Sequence, residues 1–166
     1  MNQFFGKYRG SVKNITDPEN RGRIQVNVPA LHGEGQLNWA LPSVPYAGNQ
    51  KGFYAIPPVD ANVWVEFEGG NLEFPIWSGC FWAESEVPGS AKDTEATTQH
   101  IAMQTTGTTL LLSDKSGSDG GLILKLSSGA KIEINSNGIT ISNGSGATIE
   151  LTSSSVKING TAFVVS

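Results

Sequence analysis

Few residues in this 166-residue chain could carry out catalysis or bind a metal. There are two histidines, His32 and His100, and a single cysteine, Cys80. A histidine far from any nucleophile motif is more often a solvated side chain than a base or a metal ligand. One cysteine excludes an internal disulfide and a cysteine-based metal cluster, and the apolar run around Cys80 predicts a buried thiol.

Three pairs of carboxylates are the candidates for acid–base chemistry, and the first two pairs have a spacing of two residues. The pairs are Glu66 with Glu68, Glu84 with Glu86, and Glu133 with Glu150. Glycoside hydrolysis needs two carboxyl groups around a sugar site, one of them with a pKa raised by burial, and nothing in the pattern predicts such a pocket. Gly69-Gly70-Asn71 predicts a turn, since no helix follows that could bind phosphate. We therefore predict no enzyme, no catalytic residue, no cofactor and no metal site.

Composition limits the possible partners. Charged residues make up 16% of the chain and the formal net charge is -4. Residues 1–83 contain six Lys or Arg and seven Asp or Glu, which argues against the basic groove of a nucleic-acid-binding protein. The start resembles no signal peptide, and no apolar run is long enough for a membrane helix. We expect synthesis in the cytoplasm without a signal peptide.

The first half of the chain predicts short strands. Candidate strands lie at 8–15, 23–28, 39–44, 53–56, 61–67 and 74–82. Ile24, Val26 and Val28 alternate with polar residues, as expected of a strand with one buried face. Five or six strands in about 80 residues favour a small closed barrel. We predict a barrel at 1–83, a linker at 84–99 and a second domain at 100–166.

An internal repeat dominates the second half. The sequence GAKIEINS at 129–136 recurs 17 residues later as GATIELTS at 146–153, and a looser copy precedes both. Each copy predicts two short strands whose apolar side chains share one face.

A single ribbon of this kind cannot cover its own apolar face, whereas three chains can cover one another. We predict an intertwined trimeric β-helix, or β-prism. Its axis would be lined by Leu122, Leu124, Ile132, Ile134, Ile139, Ile141, Ile149, Leu151, Val156 and Ile158. The alternative is a small sandwich within one chain.

Several of these segments resemble a known family. Asp17-Pro18 with GRIQVNVP at 22–29, Trp39-Ala40, PPVD at 57–60, VWVEFEGGN at 63–71 and PIWSG at 75–79 are similar to motifs of phage baseplate assembly protein V. Tail lysozyme spikes and the valine-glycine-repeat spikes of type VI secretion share these motifs. HIAMQTTGTTLLLSD at 100–114 resembles the segment that enters the β-prism in that family.

The resemblance implies a fold and a function. The fold is an oligonucleotide/oligosaccharide-binding (OB) barrel followed by a trimeric needle. The function is the structural central spike of a contractile injection machine, which pierces the target envelope when the sheath contracts. The expected location is a virion tail baseplate or a related contractile particle. The alternative function is an OB-fold module that binds single-stranded nucleic acid or glycans.

The resemblance also implies partners. A separate trimeric hub protein would bind at the barrel end, since no hub-like region precedes the barrel. Some relatives bind iron through a His-x-His motif near the C-terminus, and this chain has no such motif at 160–166. Phe163, Val164 and Val165 would instead contact a tip protein like the Pro-Ala-Ala-Arg-repeat (PAAR) cones of this family, or fold into the last layer of the needle. Contact with the target membrane would be transient.

Overall fold

The computed structural model describes residues 2–32, 38–92 and 98–165. The chain forms two compact units, Met1–Ser85 and Glu86–Ser166. Residues 93–97, within the predicted linker, lie outside the described residues. Among the described residues, no helix is long and apolar enough to cross a membrane.

The first unit is a closed five-stranded barrel with the strand order β1-β2-β3-β7-β6. Its strands are β1 (Tyr8–Asn14), β2 (Ile24–Asn27), β3 (Asn38–Pro42), β6 (Asn62–Phe67) and β7 (Pro75–Cys80). Strands β3 and β7 run parallel, and the other barrel pairs are antiparallel. A short helix, α1 (Pro29–His32), follows β2, and a hairpin of β4 (Ala47–Gly48) and β5 (Lys51–Gly52) follows β3.

Alternating apolar residues fill the barrel. The predicted inward set on β2, Ile24, Val26 and Val28, is buried. The rest of the buried apolar core consists of Val12, Ala40, Val63, Val65, Phe67 and Trp77. The indole Nε1 of Trp77 donates a hydrogen bond to the Gly22 carbonyl at 3.3 Å, so the one polar group of this side chain is satisfied.

Two predictions for the first unit were wrong. Residues 53–56 are not a strand, because the five-stranded barrel is already closed and offers no edge to a sixth strand. Cys80 is exposed rather than buried. It lies at the end of β7, where the register with β6 shifts between the pairs Val63–Cys80 and Val65–Trp77. Such a bulge redirects the side chains that follow it.

The second unit is one antiparallel sheet of eight strands in sequence order. Its strands are β8 (His100–Gln104), β9 (Thr108–Ser113), β10 (Gly121–Leu126), β11 (Lys131–Asn135), β12 (Gly138–Ser142), β13 (Thr148–Leu151), β14 (Val156–Ile158) and β15 (Phe163–Val165). The predicted all-β class, with a closed barrel before a strand-repeat region, is confirmed. The sandwich alternative is wrong, since all eight strands belong to one sheet.

Glycines at the 17-residue period permit this tight meander. Gly121 and Gly138 begin β10 and β12 with φ of 91° and 128°. A Cβ at Gly138 would overlap the carbonyl oxygen of Leu151, and one at Gly121 would overlap that of Ile134. The repeat therefore carries a backbone requirement as well as the apolar alternation.

Candidate trimer-forming face

Two unbroken columns of apolar side chains cross the eight-stranded sheet. Their members are directly opposite each other in the register of all seven strand pairs. The first column is Ile101, Leu112, Leu122, Ile134, Ile139, Leu151, Val156 and Val165. The second is Met103, Leu110, Leu124, Ile132, Ile141, Ile149, Ile158 and Phe163. We call the surface formed by these sixteen residues the apolar face.

The apolar face is open to solvent in a single chain. Ile134 is 45% exposed and Leu124 is 40% exposed, although both lie in the middle of the sheet. The inward residues of the barrel, such as Val63, are fully buried. A contiguous exposed apolar surface of this length is typical of an interface.

Polar and charged side chains occupy the opposite face of the sheet. The column between the apolar residues runs from Glu133 through Thr140 and Glu150 to Lys157. Lys131 Nζ lies 2.7 Å from Glu133 Oε2, Thr140 separates the two glutamates, and Lys157 is directly opposite Glu150. The expected repulsion between the glutamates is therefore reduced by neighbours of opposite or no charge. The sheet is therefore amphipathic, with a polar face opposite the apolar face.

Comparison with known protein families matches both units. Residues 8–82 match the type VI secretion system/phage-baseplate injector OB domain. Residues 100–164 match the phage baseplate V C-terminal trimerisation domain. The chain belongs to the phage baseplate V family. No curated protein matches its sequence significantly.

Family membership places the apolar face in a domain that forms trimers. The family is one of structural baseplate spikes that are generally non-enzymatic, in a virion tail or a related contractile particle. The trimerisation-domain match supports a homotrimer for this spike. In a trimer each chain must present a surface that the other chains can cover, and a sheet with one apolar face is such a surface.

All ten residues predicted to line the spike axis lie on the apolar face. That they meet residues of other copies stays a prediction. Sequence reasoning missed four further members of the face, which are Ile101, Met103, Leu110 and Leu112. The signal was available, because Ile101 and Met103 alternate with polar or small residues as a strand requires.

The three residues predicted to contact a tip protein form the last strand of the spike sheet, β15. Phe163 and Val165 continue the two apolar columns, and Val164 points to the opposite face beside Lys157. All three side chains are exposed, by 45–57%. The last strand is therefore apolar on both faces, unlike β11 to β14, whose opposite faces carry the column from Glu133 to Lys157.

The family motif at Asp17 forms a buried ion pair in the loop between β1 and β2. The Asp17 carboxylate accepts hydrogen bonds from the Arg23 guanidinium at 2.7 and 3.0 Å and from the backbone N–H groups of Glu19, Arg21 and Arg23. The Asp17 and Arg23 side chains are only 5% and 12% exposed. The Arg23 hydrogen bonds hold the pKa of Asp17 well below its usual range, and the Asp17 hydrogen bond raises the pKa of Arg23.

This ion pair bears on the alternative function. Arg23 also lies over the Trp39 ring, 5.4 Å from its centroid, on the β2–β3 surface that OB folds use for ligands. A nucleic-acid site would need that cation for phosphate, but Asp17 and Glu19 already pair with it. The aromatic ring of an OB ligand site is therefore present at Trp39, but the cation beside it is already paired.

The histidines and carboxylates form no catalytic arrangement in the described residues. No three His, Cys, Asp or Glu side chains of that part of the chain converge to hold a metal ion. His32 is the last residue of helix α1, and residues 33–37 lie outside the described residues. Glu66 is paired with Lys7 at 3.0 Å, which lowers the Glu66 pKa rather than raising it as a general acid would need.

Proposed function

We propose that this chain forms the homotrimeric central spike of a contractile injection machine and pierces the target envelope when the sheath contracts. The observation that carries the proposal is the apolar face, which runs without interruption through all eight strands and is left exposed by the described residues of its own unit. Three such faces turned toward one axis make a closed prism with a dry centre. Two copies face to face would also bury these residues, and the trimerisation-domain match favours three.

The strand arrangement suits a needle that is compressed along its length. Eight strands spaced by about 4.8 Å give a ladder roughly 35 Å long, with hydrogen bonds along its length. A compressive force would act along this ladder. In the proposed assembly, 1–83 forms the collar that binds the hub, 84–99 the linker, and 100–166 the piercing needle.

The oligomeric state tests the first part of this proposal. We expect native mass spectrometry and light scattering of the full chain to give a trimer that persists at nanomolar dilution. A compact, heat-resistant monomer under these conditions would refute the needle.

Piercing is tested by shortening the needle by one repeat. Deleting residues 135–151 joins β11 to β14 through the existing turn at 152–155 and preserves both apolar columns, with Ile134 opposite Val156 and Ile132 opposite Ile158. We expect particles that carry this variant to assemble and contract but to permeabilise target cells less than the wild type. Undiminished permeabilisation by particles with the shorter spike would contradict a piercing role.

The tip is tested by a second deletion. We propose that a PAAR-like protein covers Phe163, Val164 and Val165, whose side chains are exposed on both faces of β15. A chain lacking residues 162–166 should remain trimeric and lose capture of the tip protein. Unchanged capture would show that these residues only complete the last layer of the needle.

A further inference from the structure

One surface of the barrel combines an unpaired cation with aromatic rings. The Arg9 guanidinium lies 5.2 Å from the Trp64 ring centroid and 4.8 Å from that of Phe81. Trp82 is 65% exposed beside them, and a groove of about 310 Å³ runs between Arg9, Pro29 and Trp82. Among the described residues, no carboxylate lies within ion-pair distance of Arg9. We call Arg9, Trp64, Phe81 and Trp82 the arginine face.

A second surface of the barrel has the opposite charge. Loop 68–74 joins β6 to β7 and exposes Glu68, Glu73 and Phe74, the last by 58%. In the part of the chain that the structure describes, neither glutamate makes an ion pair. We call this surface the acidic loop.

The acidic loop is held in one conformation by its own backbone. Glu68 N–H donates to the Phe74 carbonyl at 3.0 Å and Asn71 N–H donates to the Glu68 carbonyl at 3.1 Å. The Asn71 side chain accepts a hydrogen bond from Glu73 N–H at 3.1 Å. A loop that is ordered in advance loses little conformational entropy on binding.

The two surfaces lie at opposite ends of the β6–β7 hairpin, and the charges between them are already paired. Lys7 Nζ lies 3.0 Å from Glu66 and 2.8 Å from Ser78 Oγ. Lys13 pairs with Asp60 in the same way. Among the described residues, Arg9 and the two glutamates of the acidic loop are thus charges without an ion pair, and each surface also has exposed aromatic rings. Arg and Trp in such a setting are typical of interface hot spots.

We propose that the barrels of neighbouring copies bind head to tail, with the acidic loop of one copy on the arginine face of the next. The inference rests on the proposed homotrimer. A ring of three identical chains needs two different, complementary surfaces on each chain, because its interfaces are heterologous. The arginine face and the acidic loop supply such a pair, and Glu73 is the carboxylate that would reach Arg9. The collar would then hold together through its own contacts in addition to those of the needle.

Site-specific cross-linking of the full chain tests this contact. Cys80 is exposed two residues before Trp82 and is the only cysteine of the chain. A Glu68→Cys substitution adds a second thiol in the acidic loop. Within one chain the two thiols lie about 17 Å apart along β6, too far for a bismaleimide with a two-carbon spacer. We expect this reagent to give covalent dimers and trimers on a denaturing gel.

Charge reversal and a matched control make the test specific. Arg9→Glu in the Glu68→Cys chain should lower cross-linking about tenfold, the effect of losing 1.4 kcal/mol. Adding Glu73→Arg to Arg9→Glu should restore most of it. Lys51→Cys, an exposed position on the β4–β5 hairpin, should give no cross-link with Cys80.

The outcomes separate this inference from the proposed function. A trimer by native mass spectrometry with no cross-links, or with cross-links that Arg9→Glu leaves unchanged, overturns the head-to-tail contact and leaves the needle intact. The head-to-tail contact is also overturned if Cys80, beside the arginine face, reacts with a maleimide in the trimer and is protected only when a hub protein is added. A monomeric chain refutes both proposals.

Discussion

The barrel and the spike sheet have the same alternation of apolar and polar residues, but only the barrel buries its apolar side chains. In the barrel, β6 carries Val63, Val65 and Phe67 on one side, and closure of the sheet buries all three. In the spike sheet, β11 carries Ile132 and Ile134 in the same alternation, and both remain exposed. The difference lies in topology, because β1 pairs with both β2 and β6 and closes the barrel, whereas β8 and β15 each pair with one strand and the spike sheet stays open.

This comparison shows where each region obtains its stability. The barrel buries its apolar residues within one chain and completes its hydrogen bonds by pairing β1 with both β2 and β6. The spike sheet forms its ladder within the chain and leaves its apolar face exposed, so the proposed trimer would have to bury that face. Substitutions should therefore act on folding in the barrel and on assembly in the spike.

The largest effect is expected from a charge on the apolar face. Ile134→Asp would place three carboxylates at the centre of the prism, and each buried unpaired charge costs several kcal/mol. We expect loss of the trimer by native mass spectrometry. Thr140→Lys, which adds a charge to the opposite face of β12 between Glu133 and Glu150, is the control and should remain trimeric. Dissociation of both variants would show that the two faces do not differ as described.

The next effect is expected from the glycine that begins β12. Gly138→Ala combines an unfavourable φ of 128° with a Cβ that overlaps the Leu151 carbonyl oxygen. The ends of β12 and β13 must therefore move apart to accommodate the alanine. Gly146→Ala has a similar φ of 110° and no atom within 4 Å of the added Cβ. Backbone strain alone costs about 1–3 kcal/mol. Calorimetry should show a larger loss of thermal stability for Gly138→Ala, and equal losses would contradict the overlap.

A core substitution in the barrel should act without dissociating the spike. Ile24→Ala removes a fully buried side chain and should lower the free energy of barrel unfolding by about 2–5 kcal/mol. Denaturant unfolding followed by tryptophan fluorescence reports on the barrel, since all four tryptophans precede residue 83. Ile15→Ala, at a position that is 43% exposed, is the control. A monomeric Ile24→Ala chain would show that the barrel and the spike do not act independently.

The smallest effect concerns acid stability. The pKa of Asp17 is lowered by folding, so its contribution is complete above the unfolded value of about 3.9 and is lost as pH falls toward the folded value. The barrel should therefore lose stability between pH 5 and pH 2. Asp17→Asn should be less stable at pH 7 and should show a shallower fall with acid. Parallel pH profiles of the two proteins would rule out this role for Asp17.

Most of the barrel and the repeat could be predicted from local patterns. The alternation of Ile24, Val26 and Val28 located β2 and its buried face, and the 17-residue repeat located β11 to β14 within a residue or two. The errors at residues 53–56 and at Cys80 have a common cause. Both segments are apolar enough for a buried strand, but barrel closure kept 53–56 out of the sheet, although Ile56 packs against the core, and a β-bulge precedes the exposed Cys80.

The amino-acid sequence by itself determined the all-β class and the side of each repeat strand that is apolar, because side-chain direction alternates along a strand whatever the strand pairs with. Only the tertiary structure decided that the two apolar columns are continuous from β8 to β15 and uncovered, since register and closure depend on contacts between distant segments. It also brought Arg9 onto Trp64 and Phe81, and among the described residues it gave Glu68 and Glu73 no ion pair. No spacing along the chain encodes these relations.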